Sequence, residues 1–409
     1  MENFSTYITE QKNTHMTHIE DAVIYGGVSG ARQAIMGLRS LRDMLKGTHN
    51  SSISVKWDGA PAIFAGIDPR DGAFFVAKKG IFNKNPKVYK TDADVDADTS
   101  GDLADKLKAA LRHLPSLGIK GVVQGDFLFG PGDIKTEKID GESFVTFHPN
   151  TIVYALPSSS QAAKEAKAAT IGIVWHTTYT GNSFETMKAS YGVNVSAFKK
   201  SRQVWSQDAI LRDMTKATMT KKETNEVTSM LSQAGTLFNQ ISGNTLRELE
   251  ENKTLSQHIE TFNNSYVRKG QIISNTEAHV NNLIRWIRQK YAAESAKRTT
   301  SRGRSTQLKK RNEILSFFSV SNKANLKKIF DLQYLIVLIK LKLINKLNML
   351  GNEKTFVKTK KGFKVVGKEG FVAIDTLGGG ALKIVDRMEF SYNNFSPDVL
   401  KGWDKPGRK

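Results

Sequence analysis

"SSISVKWDGAPAIFAG", residues 51–66, is the stretch on which the reading of the fold turns. Strand alternation places Ile53, Val55 and Trp57 on one face and Ser54, Lys56 and Asp58 on the other. A lysine and an aspartate two residues apart, with Gly59 straight after, suit either a solvated strand or one lining a cleft. On a cleft strand the amine is available for chemistry. A lysine has an ordinary pKa of about 10.4, and burial or a nearby cation disfavours its charged form. Lowering that pKa by about three units corresponds to roughly 4 kcal/mol of differential stabilisation. A pocket that binds a magnesium nucleotide supplies those conditions.

Outward from this stretch, three regions differ in texture. Up to about residue 190 the chain reads as one helix followed by short strands. Ser29 is the expected helix cap, Ala34, Ile35, Leu38, Leu41 and Leu45 form its apolar stripe, and Gly47 ends it. "AIFAGIDPRDGAFFVAKKG" predicts two strands around an Asp-Pro-Arg-Asp-Gly turn. A helix is expected over Leu103 to Leu114, then strands at "GVVQGDFLFG", "TIVYALP" and "IGIVWHTTYTG". Residues 195–350 predict helices throughout, with stripes at Val227, Leu231, Ala234 and at Val280, Leu283, Ile287. Within them "KRTTSRGRSTQLKKR", residues 297–311, carries seven basic residues and no acid, which suits a linker or a phosphate contact. From about 355 the strand texture returns, with a turn at Gly378-Gly379-Gly380. The pattern is α+β: a β-rich domain formed by residues 1–190 and 355–409, split by a basic helical insertion at 195–350.

Sixty basic against forty acidic residues leave a net charge of +20 on 409 residues, which favours an anionic partner, nucleic acid first. The absence of cysteine excludes disulfides, thiolate metal sites and cysteine nucleophiles, and fits a cytoplasmic setting. The polar N-terminus does not read as a signal peptide. The most apolar run, Leu332 to Leu350, is interrupted by Lys340, Lys342 and Lys346, so a buried helix is expected and a membrane partner is not. Phosphate-loop, His-Glu-x-x-His and nucleophile-elbow patterns are missing.

Lys-x-Asp-Gly gains weight from three downstream companions, in order: Gly125-Asp126 at the end of an apolar strand, Glu369-Gly370 before a later one, and Lys383 on the next. One nucleophile, two carboxylates and a basic phosphate contact make a phosphoryl-transfer set. This series resembles the covalent nucleotidyltransferase superfamily, which holds the ATP-dependent DNA and RNA ligases and the mRNA capping guanylyltransferases. The matched stretches, residues 50–190 and 355–392, cover under half the chain. The resemblance implies the antiparallel-sheet nucleotidyltransferase fold, ATP and Mg2+ as cofactors, and Lys56 as the nucleotidylated lysine. It implies further that Asp58 and Gly59 shape the lysine loop, that Lys79 contacts ribose or phosphates, and that Asp126 serves the ribose or the metal. Glu369 would serve the metal and Lys383 the α-phosphate. Tyr154 is the first choice for stacking on the base and Trp175 the second.

Two positions depart from the family pattern: Asp126 stands where glutamate is usual, and Val385 where a second lysine is, with Arg387 as its expected substitute. The short tail after the Lys383 strand leaves no room for the OB-fold of DNA ligases and capping enzymes. An RNA-ligase-like protein acting on 5′-phosphate ends, RNA ahead of DNA, is therefore expected. Thr17-His18-Ile19-Glu20-Asp21 and the compact motif set resemble tailed-phage proteins. His18 reads as solvated and His176 as an interior residue. A binding or structural protein with a degenerate fold, and a transferase of AMP or GMP that seals nothing, stay open beside the ligase. ATP against GTP and the oligomeric state are left open.

Overall fold

A computed structural model of the protein describes residues 18–47, 52–211, 213–351, 353–374 and 381–403. The expected Gly378-Gly379-Gly380 turn lies outside the described residues. The described residues open with a short helix, α1 (Ala22–Tyr25), and a long one, α2 (Gly27–Leu45). Strands β1 (Ser52–Lys56), β2 (Ala62–Ile67) and β3 (Phe74–Ala77) come after them, then helices α3 (Asp92–Asp96) and α4 (Gly101–His113). Next are β4 (Val122–Phe129), β5 (Lys135–Ile139), β6 (Glu142–Phe147), β7 (Ile152–Pro157) and α5 (Gln161–Ala168). The first β-rich stretch closes with β8 (Ile171–Thr180), β9 (Lys188–Tyr191), β10 (Val204–Asp208) and β11 (Ile210–Leu211).

The helical stretch holds α6 (Lys221–Gln240), α7 (Gly243–Glu251), α8 (Lys253–Val267), α9 (Thr276–Ala296), α10 (Ser301–Phe317) and α11 (Val320–Leu347). The chain then returns to β12 (Lys354–Thr359), β13 (Gly362–Val365), β14 (Gly370–Ile374) and β15 (Ala381–Ile384), and ends on α12 (Arg387–Phe395) and β16 (Val399–Leu400). The architecture is thus α+β, and among the described residues the strand pairs are antiparallel apart from β10, which lies parallel to β8.

Among the described residues three sheets result, in the orders β11-β1-β14-β15, β10-β8-β4-β2-β3 and β13-β12-β7-β6-β5. The first and third join strands from both ends of the chain. In the first, Ser52 faces Ile374 and Lys56 faces Gly370, so the pairing of β1 with β14 brings the two β-rich stretches together. The second sheet buries Ile63, Val123, Phe127, Ile173 and Trp175 with Ala104, Leu107 and Ala110 of α4. Alternation therefore turns Asp126 and His176 to its other side.

Three local expectations are corrected. Helix α2 begins at Gly27, whose φ of +56° glycine tolerates, so Ser29 lies inside the first turn and does not cap. The helical stretch begins near Lys221 and not at 195, because β10 extends the edge of β8 and β11 that of β1. Residues 301–311 form most of α10 and are no linker: Thr300 accepts a bond from the Gly303 amide at 3.1 Å, and Ile314 and Phe317 are buried farther along the helix.

The three lysines in the apolar run are explained by partners on other elements. Lys342 and Lys346 of α11 pair with Glu226 and Glu223 of α6, each at 2.7 Å. Lys340 is buried, and its Nζ donates to both carboxylate oxygens of Glu20 at 2.8 Å. Around it Leu332, Ile336, Ile339 and Leu343 are buried. Removing one partner of a buried pair leaves the other charge unsolvated. Lys340→Met is expected to lower stability by about 3–5 kcal/mol in urea unfolding, and adding Glu20→Gln to recover part of the loss.

Candidate active site

β1 delivers Lys56 to the end of the first sheet, directly opposite Gly370. Glu369, the residue before β14, forms an ion pair with it: Lys56 Nζ donates to Glu369 Oε1 across 313 positions of sequence. The Lys56 side chain is 39% exposed and that of Glu369 only 7%. Glu369 Oε2 is buried and has no hydrogen-bond partner among the described residues. An oxygen so placed needs a proton, a water or a cation. Glycine is required at 370 because a Cβ there would lie 2.5 Å from Val385 Cγ2.

The strand ends at Lys56, so Asp58 does not share its open face as alternation predicted. Asp58 turns inward, where its Oδ1 accepts from Asn150 Nδ2 at 2.7 Å. Its Oδ2 accepts from the amides of Thr151 (2.7 Å) and Ile152 (3.0 Å). Its own amide donates to the Tyr154 hydroxyl at 2.6 Å. The aspartate therefore fastens the lysine loop to the start of β7. Gly59 lets that loop lie against β4, since a Cβ would sit 2.5 Å from Asp126 Cβ and 2.9 Å from the Phe127 carbonyl oxygen. The role of both residues in shaping the loop has a direct physical basis.

Asp126 projects from β4 on the side away from α4, with Oδ2 3.6 Å from His176 Nε2 on β8. Burial pushes its carboxyl up to about 7, against the pull of Lys56, with the charge of Asp58 adding and that of Lys79 opposing. Burial likewise pushes Glu369 up to about 7, against Lys56, with Asp58 and Asp126 adding to the rise. Lys383 on β15 lies within range of the same charges: burial, then Lys56, pushes its amine down. Exposed Lys79 sits on the turn Lys79–Phe82 after β3, and its charge reaches Asp126. Lys56, Asp126, Glu369 and Lys383 thus form one electrostatic cluster.

Other expected members lie elsewhere. Tyr154 is 2% exposed, its ring packed on Trp57 (centroids 4.6 Å apart) and Phe147 (5.5 Å), and its hydroxyl used by Asp58. Trp175 is fully buried on the α4 side, with Nε1 donating to Ser206 Oγ at 3.2 Å. Neither ring has a free face for a base, which corrects both stacking assignments. Arg387 does not stand in for the missing lysine: its guanidinium bonds Asp21 (2.9 Å) and Asn264 (2.6 Å), with Glu20 at 3.8 Å. Val385, at the position of that lysine, is buried.

Of two histidines, His176 is an interior residue as expected and His18 departs from expectation. His176, one residue past Trp175, is the β8 side chain beside Asp126. Burial and then Lys56 push it down to about 4. His18 is no solvated histidine: burial pushes it down to about 3, and its Nδ1 is buried without a partner among the described residues. The parity of β8 was the available signal for His176.

Among the described residues no group of three or more histidine, aspartate or glutamate side chains is gathered to hold a metal ion by itself. None of their helices is long and apolar enough to cross a membrane. A family model described as "Family of unknown function (DUF6267)" matches residues 13–398, and the chain belongs to that family. No curated protein and no solved structure matches it.

The buried carboxyls set a pH dependence. A carboxyl whose folded pKa lies above its unfolded one takes up a proton on folding, so its effect is absent below about pH 4 and destabilises progressively up to about pH 7. Asp126→Asn is expected to raise stability near pH 8 by on the order of 2 kcal/mol, the gain shrinking toward pH 4 in parallel denaturant titrations.

Proposed function

We propose that this member of the DUF6267 family is a covalent nucleotidyltransferase of the polynucleotide-ligase kind. It would take AMP from ATP onto Lys56 and pass it to a 5′-phosphate end, RNA ahead of DNA. The observation that carries the reading is the ion pair of Lys56 with Glu369, made by strands from opposite ends of the chain, with Asp126 and Lys383 within range of its charges. The nucleotidyltransferase fold itself is part of the proposal, supported by this convergence and by the motif order.

Asp126 and Glu369 are the residues that would hold magnesium. Two carboxylates are the usual protein share of such a site when nucleotide phosphates complete it, and the unpartnered Oε2 of Glu369 suits that role. A bound magnesium ion supplies charge neutralisation at the phosphates. The rest falls to the chain. Lys56, whose side chain is 39% exposed, sheds its proton to solvent. Its lone pair then bonds the α-phosphorus as the bond to the bridging oxygen breaks, and pyrophosphate leaves with that electron pair. Lys383 offers positive charge to the α-phosphate. In the next step a 5′-phosphate oxygen bonds that phosphorus, the P–N bond breaks and Lys56 recovers its amine. A 3′-hydroxyl finally displaces AMP, its proton leaving as the phosphodiester forms.

Val385 favours a second reading. Buried over Gly370, it puts no cation where ligases keep their second lysine, which suits a transferase that loads Lys56 without sealing strands.

Incubation with α-labelled ATP or GTP and magnesium, then denaturation, tests the first step. Wild type is expected to retain label, Lys56→Ala to lose it, and Glu369→Gln to slow labelling by about 10²-fold or more. An unlabelled wild type overturns the reading in favour of a binding protein. Label that leaves the protein for nicked RNA or DNA without lengthening it selects the non-sealing transferase.

A further inference from the structure

A groove of about 600 Å³ lies between α5, residues 195–202 and the outer side of β10, the edge strand of the sheet that carries Asp126. Lys164 of α5 and Lys199, Lys200 and Arg202 of the loop before β10 line it. All four are exposed, and none forms an ion pair with a described residue. Its one acid, Glu165, accepts a bond from Gln161 at 2.9 Å. Phe198, half-buried, adds an aromatic ring to the wall.

Trp205 adds an independent observation. It lines the groove with its indole 4% exposed and its ring packed against Phe129 and Phe147, at 5.9 and 5.7 Å. Its Nε1 is buried and has no partner among the described residues. A buried donor left unpaired costs about 1–3 kcal/mol, and an acceptor from a ligand removes that cost.

We propose that this groove binds the phosphodiester backbone of a single-stranded polynucleotide. A compact anion is held by converging, enclosed donors. Here the four cations are exposed, on α5 and on the loop before β10, with the Phe198 ring in the same wall, and exposed cations beside an aromatic suit a chain of phosphates. Each phosphate neutralised releases counterions, so binding here must weaken with salt. The proposal stands apart from the covalent chemistry at Lys56 and needs no ATP.

The test is fluorescence anisotropy of labelled RNA and DNA strands of about 12 nucleotides over a salt series, without ATP. Two variants of equal charge change are compared: K199E/K200E/R202E in the groove and R302E/K309E/K310E on α10. The groove variant is expected to bind at least ~10-fold more weakly and to lose about 2 from its salt slope, with the α10 variant far less affected. Inorganic phosphate at matched ionic strength should leave binding unchanged.

Failure of the wild type to bind, no effect of the groove variant, or equal loss in both variants would overturn the proposal. So would displacement by millimolar phosphate, which would mark a site for a small anion. Lys→Gln and Arg→Gln replacements at the same positions repeat the comparison if the reversed variant proves less stable in thermal unfolding. Label at Lys56, read in parallel, keeps failure of the groove distinct from failure of the nucleotidyltransferase reading.

Discussion

The pairing of β1 with β14 is the constraint on which the arrangement depends. Five residue pairs, from Ser52 opposite Ile374 to Lys56 opposite Gly370, set the register of two segments that lie more than 300 positions apart. A one-residue slip would turn Lys56 to the other face of the sheet. The ladder therefore sets more than the sheet: it decides that Lys56 and Glu369 meet. The first sheet also contacts the helices, since the methyl groups of Leu382 on β15 lie over Gly37 of α2, where a Cβ would come within 2.8 Å.

Around that ladder the protein places charge where burial opposes it. Asp126 and Glu369 are both desolvated, and both lie within range of Lys56 and Asp58. The second cluster is balanced differently. Glu20 is held well into the acidic range, at about 2, by Lys340 first, against the cost of burial. Arg387 bonds Asp21, whose carboxyl burial nevertheless pushes up to about 6. One cluster joins the N-terminal segment, α11 and α12, and keeps a buried oxygen of its own, Asp21 Oδ1, without a partner among the described residues. The other leaves a buried oxygen of Glu369 without a partner among the described residues. Perturbed carboxyls mark working sites and structural ion networks alike, so it is the exposed Lys56 amine beside Glu369 that distinguishes this cluster from the other.

Much of this was legible in the sequence, and the misses have physical causes. Lys56, Asp126, Glu369 and Lys383 sit on or beside strands, Asp126 and Glu369 next to glycines and Lys56 three residues before one, and the structure contains close approaches at Gly59 and Gly370. Periodicity also identified the helical stretch and the burial of α11. It could not say which face of β8 would meet α4, so Trp175 was assigned to a cleft that it does not reach. Tyr154 misled because its hydroxyl serves the Asp58 amide, a contact between residues 96 positions apart. Composition masked α10, whose serines, threonines and glycine suggest a loop while burial of Ile314 and Phe317 holds a helix. Arg387 looked available because Asp21 and Asn264 are remote in sequence. Most of these misses trace to a long-range partner that no local pattern encodes.

The separation of β1 from β14 also shapes how the molecule comes into being. During synthesis β1 emerges early, while its main partner strand arrives only after all of the helices from α6 to α11 have been made. Until then one edge of β1 lacks its mate, and contacts of such high sequence separation are slow to close. The cluster around Lys56 thus forms only once β14 has been made, and a translation product cut short before it would carry the lysine without the glutamate that meets it.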